Sequence, residues 1–396
     1  MLLSRIIIAT MALVACLTAA SPAKALGYNF KPLEQVVQQA VSDSVFPGAS
    51  VAVLFRGEVV FHQAFGRMTY QPASAPVTTT TIYDLASLTK AIATTSTIMQ
   101  LVERDSLALY APVSRYFPAF GQRGKASVTI EQLLRHTSGL RAHTLFSKSC
   151  ATADDVVNAI AADTLFSAPG TETVYSDLGF IMLGKIVEKV TGKSLAANFH
   201  DRFAQPLGMT STMFTPNNTL IGRIAPVEKD TFWPLCTPRP LVHDQNAALL
   251  GGVAGHAGLY STTGDLLRMT AMLMNGGTLE GKRYISNETL QRFIARTSYP
   301  RALGWDLRSP LWSPKSKSSA GDYFSSASYG HLGFTGTSIW IDPEKEIAVI
   351  ILSNRVYPTS ENIGIRTFRP LLHNTVAQCL GFQLKQIKQT TLPSAQ

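Results

Sequence analysis

Hydrophobic positions along the chain fall into two rhythms. "LEQVVQQAVSD" (33–43) repeats its apolar residues every three or four positions, the period of an amphipathic helix. "GASVAVLFRGEVVFHQAFG" (48–66) is two β-rich runs broken by Arg56-Gly57, which predicts a hairpin. From roughly 85 to 300 the helical period dominates. "TIEQLLRHTSGL", "YSDLGFIMLGKIVEKVTG" and "TTGDLLRMTAMLMNGG" space apolar residues three and four apart, and the last two end at glycine, a common helix stop. Alternation returns in "YGHLGFTGTSIWIDPEKEIAVIILSN" (329–354), with a turn at Asp342-Pro343-Glu344, and a helix from about Ile363 to Cys379 follows. The proline-rich stretch from Asn218 to Gln245 has weak periodicity and reads as a long loop.

Sheet-forming material at both ends of a helical middle predicts an α/β (α+β) protein with two interleaved lobes. One lobe takes about 27–84 plus 300–380, the helical one about 85–299, and 381–396 is a polar tail. A cleft between such lobes is the natural place for a site. A chain of 396 residues with 45 % hydrophobic and 15 % charged residues suits a packed globular protein of one large domain or two lobes.

Residues 1–25 read as a targeting segment: "MLLSR" is a short basic start, "IIIATMALVACLTAA" an apolar run, and "SPAKA" ends in a small-x-small cleavage pattern. "LVAC", ending at Cys16, supports lipoprotein processing as the alternative, with a membrane tether through a lipid on Cys16. Either way the mature chain is expected outside the cytoplasm, in a bacterial periplasm or cell envelope. Cys150, Cys236 and Cys379 then remain; their spacing is unlike that of zinc ligands, and an oxidising compartment permits one disulfide, such as Cys150–Cys236, without selecting it. Loss of Arg5 and Lys24 lowers the formal net charge from +9 to +7. The positive charge is spread without arginine–aromatic interleaving, which makes no case for nucleic acid.

Three short patterns carry chemistry. In "YDLASLTKAIAT" (83–94), Ser87 and Lys90 share a helix face, so the amine lies within reach of the hydroxyl. Lysine accepts that proton only if burial or a neighbouring cation lowers its pKa. Residue frequencies give roughly one Ser-x-x-Lys by chance in such a chain, and "SPAK" at 21–24 is another. In "PGTETVYSDLGF", Tyr175 is a base or relay beside two cations and Asp177 a partner for Lys90; a packed aromatic and an N-cap are the plain alternatives. In "YGHLGFTGTSIW", His331 projects from a strand with Gly333 on the same face, and glycines there mark close approach by a ligand or a backbone. The N–H groups of Phe334, just beyond Gly333, and of Ser87 can together form an oxyanion hole. His243 and His256 flank a glycine-rich loop and are either cleft-lining residues or loop caps.

Ser-x-x-Lys, Tyr-x-Asp and His-x-Gly in this order resemble the serine β-lactamase/penicillin-binding-protein superfamily. "PLGMTSTMF", "VHDQNAALLGGVAGHAGLYSTTGDLLRM" and "GHLGFTGTSIWIDPE" are similar to its class C β-lactamase-like branch, which includes D-alanyl-D-alanine carboxypeptidases and family VIII esterases. The resemblance, over about 30 to 380, implies a β-lactamase/transpeptidase-like fold in which an antiparallel sheet is flanked by helices. It implies Ser87 as acylated nucleophile, Lys90 and Tyr175 as proton-transfer groups, the Ser87 and Phe334 N–H groups as oxyanion hole, and Asp177 where many relatives have asparagine. His331 stands for the lysine of the third motif, Leu332 for its hydroxyl-bearing residue, and Gly333 is retained; weaker carboxylate recognition follows. No metal or organic cofactor is implied. The expected partners are peptidoglycan peptides or other small molecules, with β-lactams as acylating ligands. The leading reading is an envelope D,D-carboxypeptidase or endopeptidase. A carboxylesterase or weak class C-type β-lactamase, and a non-catalytic penicillin-recognising sensor, are the alternatives.

Overall fold

The computed structural model describes residues 27–228, 242–308 and 318–384. The targeting segment with Cys16, the middle of the expected 218–245 loop, Cys236 and the end of the tail lie outside the described residues. Cys150 and Cys379 are free thiols.

A six-stranded antiparallel sheet takes its strands from both halves of the chain. β1 (Gly48–Phe55) and β2 (Glu58–Gly66) come first, then β3 (Asp306–Leu307), β4 (Tyr329–Leu332), β5 (Ser338–Asp342) and β6 (Ile347–Ser353), in the spatial order β2-β1-β6-β5-β4-β3. Arg56 and Gly57 both have positive φ (51° and 81°), as a two-residue type I′ turn requires, and Phe55 faces Glu58 across it. At the β5–β6 turn the Asp342 carboxylate accepts the N–H groups of Glu344 and Lys345, so the expected turn is held by its own first residue.

Every residue of β1 is buried because the sheet is covered on both faces. Val51, Val53 and Phe55 join α1 (Lys31–Ser42) and α5 (Ile365–Cys379) in one core, through Leu33, Val37, Phe368, Leu372 and Val376. Ala52 and Leu54 face the other way into a larger core shared with α4 (Thr263–Met274) and the helical middle. Alternating side chains thus serve two layers, which is why the strand reads as an unbroken apolar run.

Within the helical middle, Lys90–Thr95 form a π-helical segment that runs into α2 (Ser96–Glu103). α3 spans Asp177–Thr191 and ends at Gly192, whose φ of 69° is the left-handed stop predicted there. Its N-cap is Ser176, which accepts the Gly179 N–H at 3.3 Å. Asp177 is therefore the first helical residue, and its carboxylate is free of capping duty.

Candidate active site

The site is built on a strained turn. Tyr83 and Asp84 pair with Ser261 and Tyr260, and the chain then reverses at Ala86, a non-glycine residue with φ 45°. Such a conformation costs of order 1 kcal/mol or more and persists only where neighbours impose it. Here the buried Asp84 carboxylate accepts the Ala86 N–H at 2.8 Å and the His243 N–H at 2.7 Å. Thr335 and Thr337, in the β4–β5 connection, donate their hydroxyls to the Asp84 and Leu85 carbonyls at 2.7 and 3.1 Å. Ser87 emerges from this turn, partly exposed, at the head of the helical run.

Lys90 is completely buried. Its Nζ donates to Ser87 Oγ at 2.9 Å, to the His256 carbonyl at 3.0 Å and to Asp177 Oδ1 at 2.8 Å, so all three ammonium hydrogens are committed. Burial disfavours the charge, but the Asp177 carboxylate and the Tyr175 oxygen outweigh it and raise the Lys90 pKa. Burial likewise opposes the Asp177 charge, yet Lys90 and His143 hold its carboxyl well below the usual range. The lowered lysine pKa expected of a resting base is not what this pocket provides; Lys90 is an ammonium.

The Tyr175 hydroxyl group lies close enough to Lys90 and Ser87 to interact with both. Its ring lies beneath two cations, with Lys90 Nζ and Arg301 Cζ each 4.9 Å from the centroid, and against the His136 ring at 4.5 Å. Burial raises the phenol pKa more than Lys90 lowers it, so Tyr175 rests as a neutral phenol.

Gly333 is required by contact. A Cβ there would lie 2.0 Å from Thr337 Oγ1 and 2.4 Å from the Leu85 carbonyl oxygen, so the close approach predicted for this glycine is made by the Thr337 side chain and the Leu85 backbone. Arg369, buried in α5, donates to the Gly333 carbonyl at 2.8 Å and the Thr337 carbonyl at 2.7 Å. In a planar trans peptide the N–H points opposite to the carbonyl, so Arg369 turns the Phe334 N–H away from α5. Arg355 fixes the next peptide, donating to the Phe334 carbonyl at 2.8 Å with its guanidinium 4.3 Å from the ring centre.

A cavity of about 810 Å³ opens on this arrangement, lined by Ser87, Tyr175, Asp177, Phe334, His143, His243 and Glu228 among others. His243 pairs with Glu228 at 3.0 Å, which Ser360 also holds. His256 does not line the cavity; it is buried behind it, bonded to Asp244 at 2.8 Å, and contributes its backbone carbonyl to Lys90. His331 is buried too: Nδ1 donates to the Leu332 carbonyl and Nε2 has no partner among the described residues, and burial pushes its pKa down to about 4. His331 is therefore neutral near pH 7. Leu332 packs toward the α1–α5 core rather than into the cavity. Among the described residues no cluster of His, Cys, Asp or Glu is placed to hold a metal. A second cavity of about 510 Å³, around Arg104 and Arg202, lies at the far end of α2 and contains none of the candidate residues.

Sequence reasoning missed His143, Asp84, Arg301 and Arg369. His143 and Arg301 carry no local signal. Arg369 had one: it interrupts the apolar stripe Ile365, Leu372, Val376 of α5, as does His373.

A family model described as Beta-lactamase matches residues 33–372. A protein of Escherichia coli (strain K12) named "Putative D-alanyl-D-alanine carboxypeptidase" is 31 % identical over 385 residues, 86 % of each chain. Among solved structures, a penicillin-binding protein homolog from Caulobacter crescentus has a TM-score of 0.71 at 22 % identity, covering 88 % of this chain and 97 % of that one. A family VIII carboxylesterase (0.68, 22 %, 88 % and 97 %) and a class C beta-lactamase (0.70, 20 %, 89 % and 97 %) share the same fold.

Proposed function

The chain belongs to the Beta-lactamase family and is a serine hydrolase, and from that premise we propose that Ser87 is its acylated nucleophile and a peptidoglycan peptide its acyl donor. The observation that carries the assignment is the 2.9 Å contact from the buried Lys90 ammonium to Ser87 Oγ at the mouth of the cavity. Because Oγ accepts from Lys90, the hydroxyl hydrogen is left free to turn toward the neighbouring Tyr175 oxygen. A neutral phenol serves as a relay: as Ser87 attacks the carbonyl, its proton passes to the Tyr175 oxygen while the phenol proton passes to the leaving amine. Lys90 stabilises the developing alkoxide, and the Ser87 and Phe334 N–H groups hold the oxyanion. The D,D-carboxypeptidase or endopeptidase reading draws support from the curated relatives and from residues 1–25, which suit an envelope protein.

A carboxylesterase reading has its own observation. His331 stays neutral to about pH 4 and Leu332 faces the core, so the third motif offers a carboxylate-bearing substrate neither a cation nor a hydroxyl. Purified protein tested on a D-Ala-D-Ala peptide, a short-chain p-nitrophenyl ester and a cephalosporin separates the readings. The peptide is expected to be the best substrate, with Ser87→Ala losing at least about 10³-fold on all three. Equal rates for wild type and Ser87→Ala would overturn the assignment. Labelling by a fluorescent penicillin without turnover of any substrate identifies a sensor instead.

A further inference from the structure

His143 lies on the wall of the same cavity as Ser87. Its side chain is 49 % exposed, and its Nδ1 lies 3.3 Å from Asp177 Oδ2. The other oxygen of that carboxylate holds Lys90 at 2.8 Å. The pairing is built in: the Asp177 N–H donates to the Ala142 carbonyl at 2.9 Å and the Ser176 hydroxyl to the Arg141 carbonyl at 2.7 Å, which staples segment 141–143 to the start of α3. Asp177 is ionised, so Nδ1 must carry the hydrogen and the free lone pair falls on Nε2.

We propose that His143, oriented by Asp177, is the general base for the water that hydrolyses the Ser87 acyl-enzyme. The inference rests on Ser87 being acylated and adds a residue to the second half of that cycle. As the water oxygen bonds to the acyl carbon, one water proton passes to His143 Nε2 and the imidazolium is held by the Asp177 carboxylate. As the bond to Ser87 breaks, the imidazolium returns that proton from Nε2 to Ser87 Oγ, which Lys90 holds at 2.9 Å as an ammonium throughout. The product leaves as the acid carrying the water's hydroxyl, and His143 is again neutral with its hydrogen on Nδ1 facing Asp177 at 3.3 Å.

The charges facing His143 are Asp177, Asp244 and Lys90. The hydrogen bond to Asp177 raises its pKa above the ordinary histidine value, against the effect of burial. Deacylation in the wild type should therefore be lost as pH falls through a value above 6.5.

The test uses p-nitrophenyl acetate with wild type, His143→Gln and His143→Gly. Single-turnover release of p-nitrophenolate reads acylation, and decay of the acetyl adduct by intact-protein mass spectrometry reads deacylation. Acylation is expected to change less than about 3-fold, while deacylation slows about 10²- to 10⁴-fold and loses its acid limb. Added imidazole should restore deacylation in His143→Gly. Equal slowing of both steps, or an unaltered deacylation rate, would overturn the proposal and leave the Ser87 assignment standing. A wild type that never forms the adduct would overturn both.

Discussion

Asp177 illustrates how much one carboxylate decides. It neutralises a buried ammonium that burial alone would discharge, and it is shared with a half-exposed histidine. Asp177→Asn keeps the shape and removes the charge, leaving Lys90 without a counter-ion. Loss of one member of a buried pair costs about 3–5 kcal/mol, to be read by urea unfolding. The Lys90 pKa should fall, moving the basic limb of the pH–rate profile downward; a limb that stays in place would show that Lys90 does not titrate with activity. Arg369 gives a second test at this scale. Arg369→Met frees the Gly333 carbonyl, and kcat should fall about 10- to 100-fold with KM little changed, less than removal of an oxyanion donor outright. Partial recovery in Arg369→Lys separates positioning from simple damage to α5.

Among the elements, the β4–β5 connection is held directly against the turn before Ser87. Two threonine hydroxyls and one absent side chain bring them together. Gly333→Ala should cost about 1–3 kcal/mol by overpacking and slow acylation more than thermal denaturation alone predicts; an unshifted Tm with full activity would show the junction to be compliant. Elements with local causes were legible beforehand. The Arg56-Gly57 turn and the glycine stop of α3 each depend on the conformational freedom of residues at the turn itself. The sequence leaves Asp177 as either an N-cap or a partner for Lys90 because Ser176 and Asp177 are both good caps, and only the path of the preceding loop selects Ser176.

Across the whole molecule, buried neutral histidines contribute to the loss of stability in acid. His331 and His373 each donate Nδ1–H to a backbone carbonyl and bury an Nε2 that has no partner among the described residues, and both have pKa values lowered to about 4. Unfolded histidine titrates near 6.5, so the unfolded chain binds more protons between these values. Their stabilisation is complete above pH 6.5 and is lost as pH falls toward 4, by up to about 3 kcal/mol for each. His143, with a raised pKa, works in the opposite sense, and its half exposure keeps that effect smaller. Calorimetry from pH 7 to 4 should show a falling Tm, and His373→Leu should flatten the slope. A Tm independent of pH over this interval would contradict the buried neutral state.

The sequence by itself determined the periodicities, the turn chemistry, and the presence of a serine and a lysine three residues apart. Those features depend on neighbours along the chain. Only the tertiary structure decided that Lys90 is charged, that Tyr175 is neutral, that His331 is silent near neutral pH and that His143 has a carboxylate partner. Each of these is set by burial and by a charge brought from a distant segment, and neither quantity is written in local spacing.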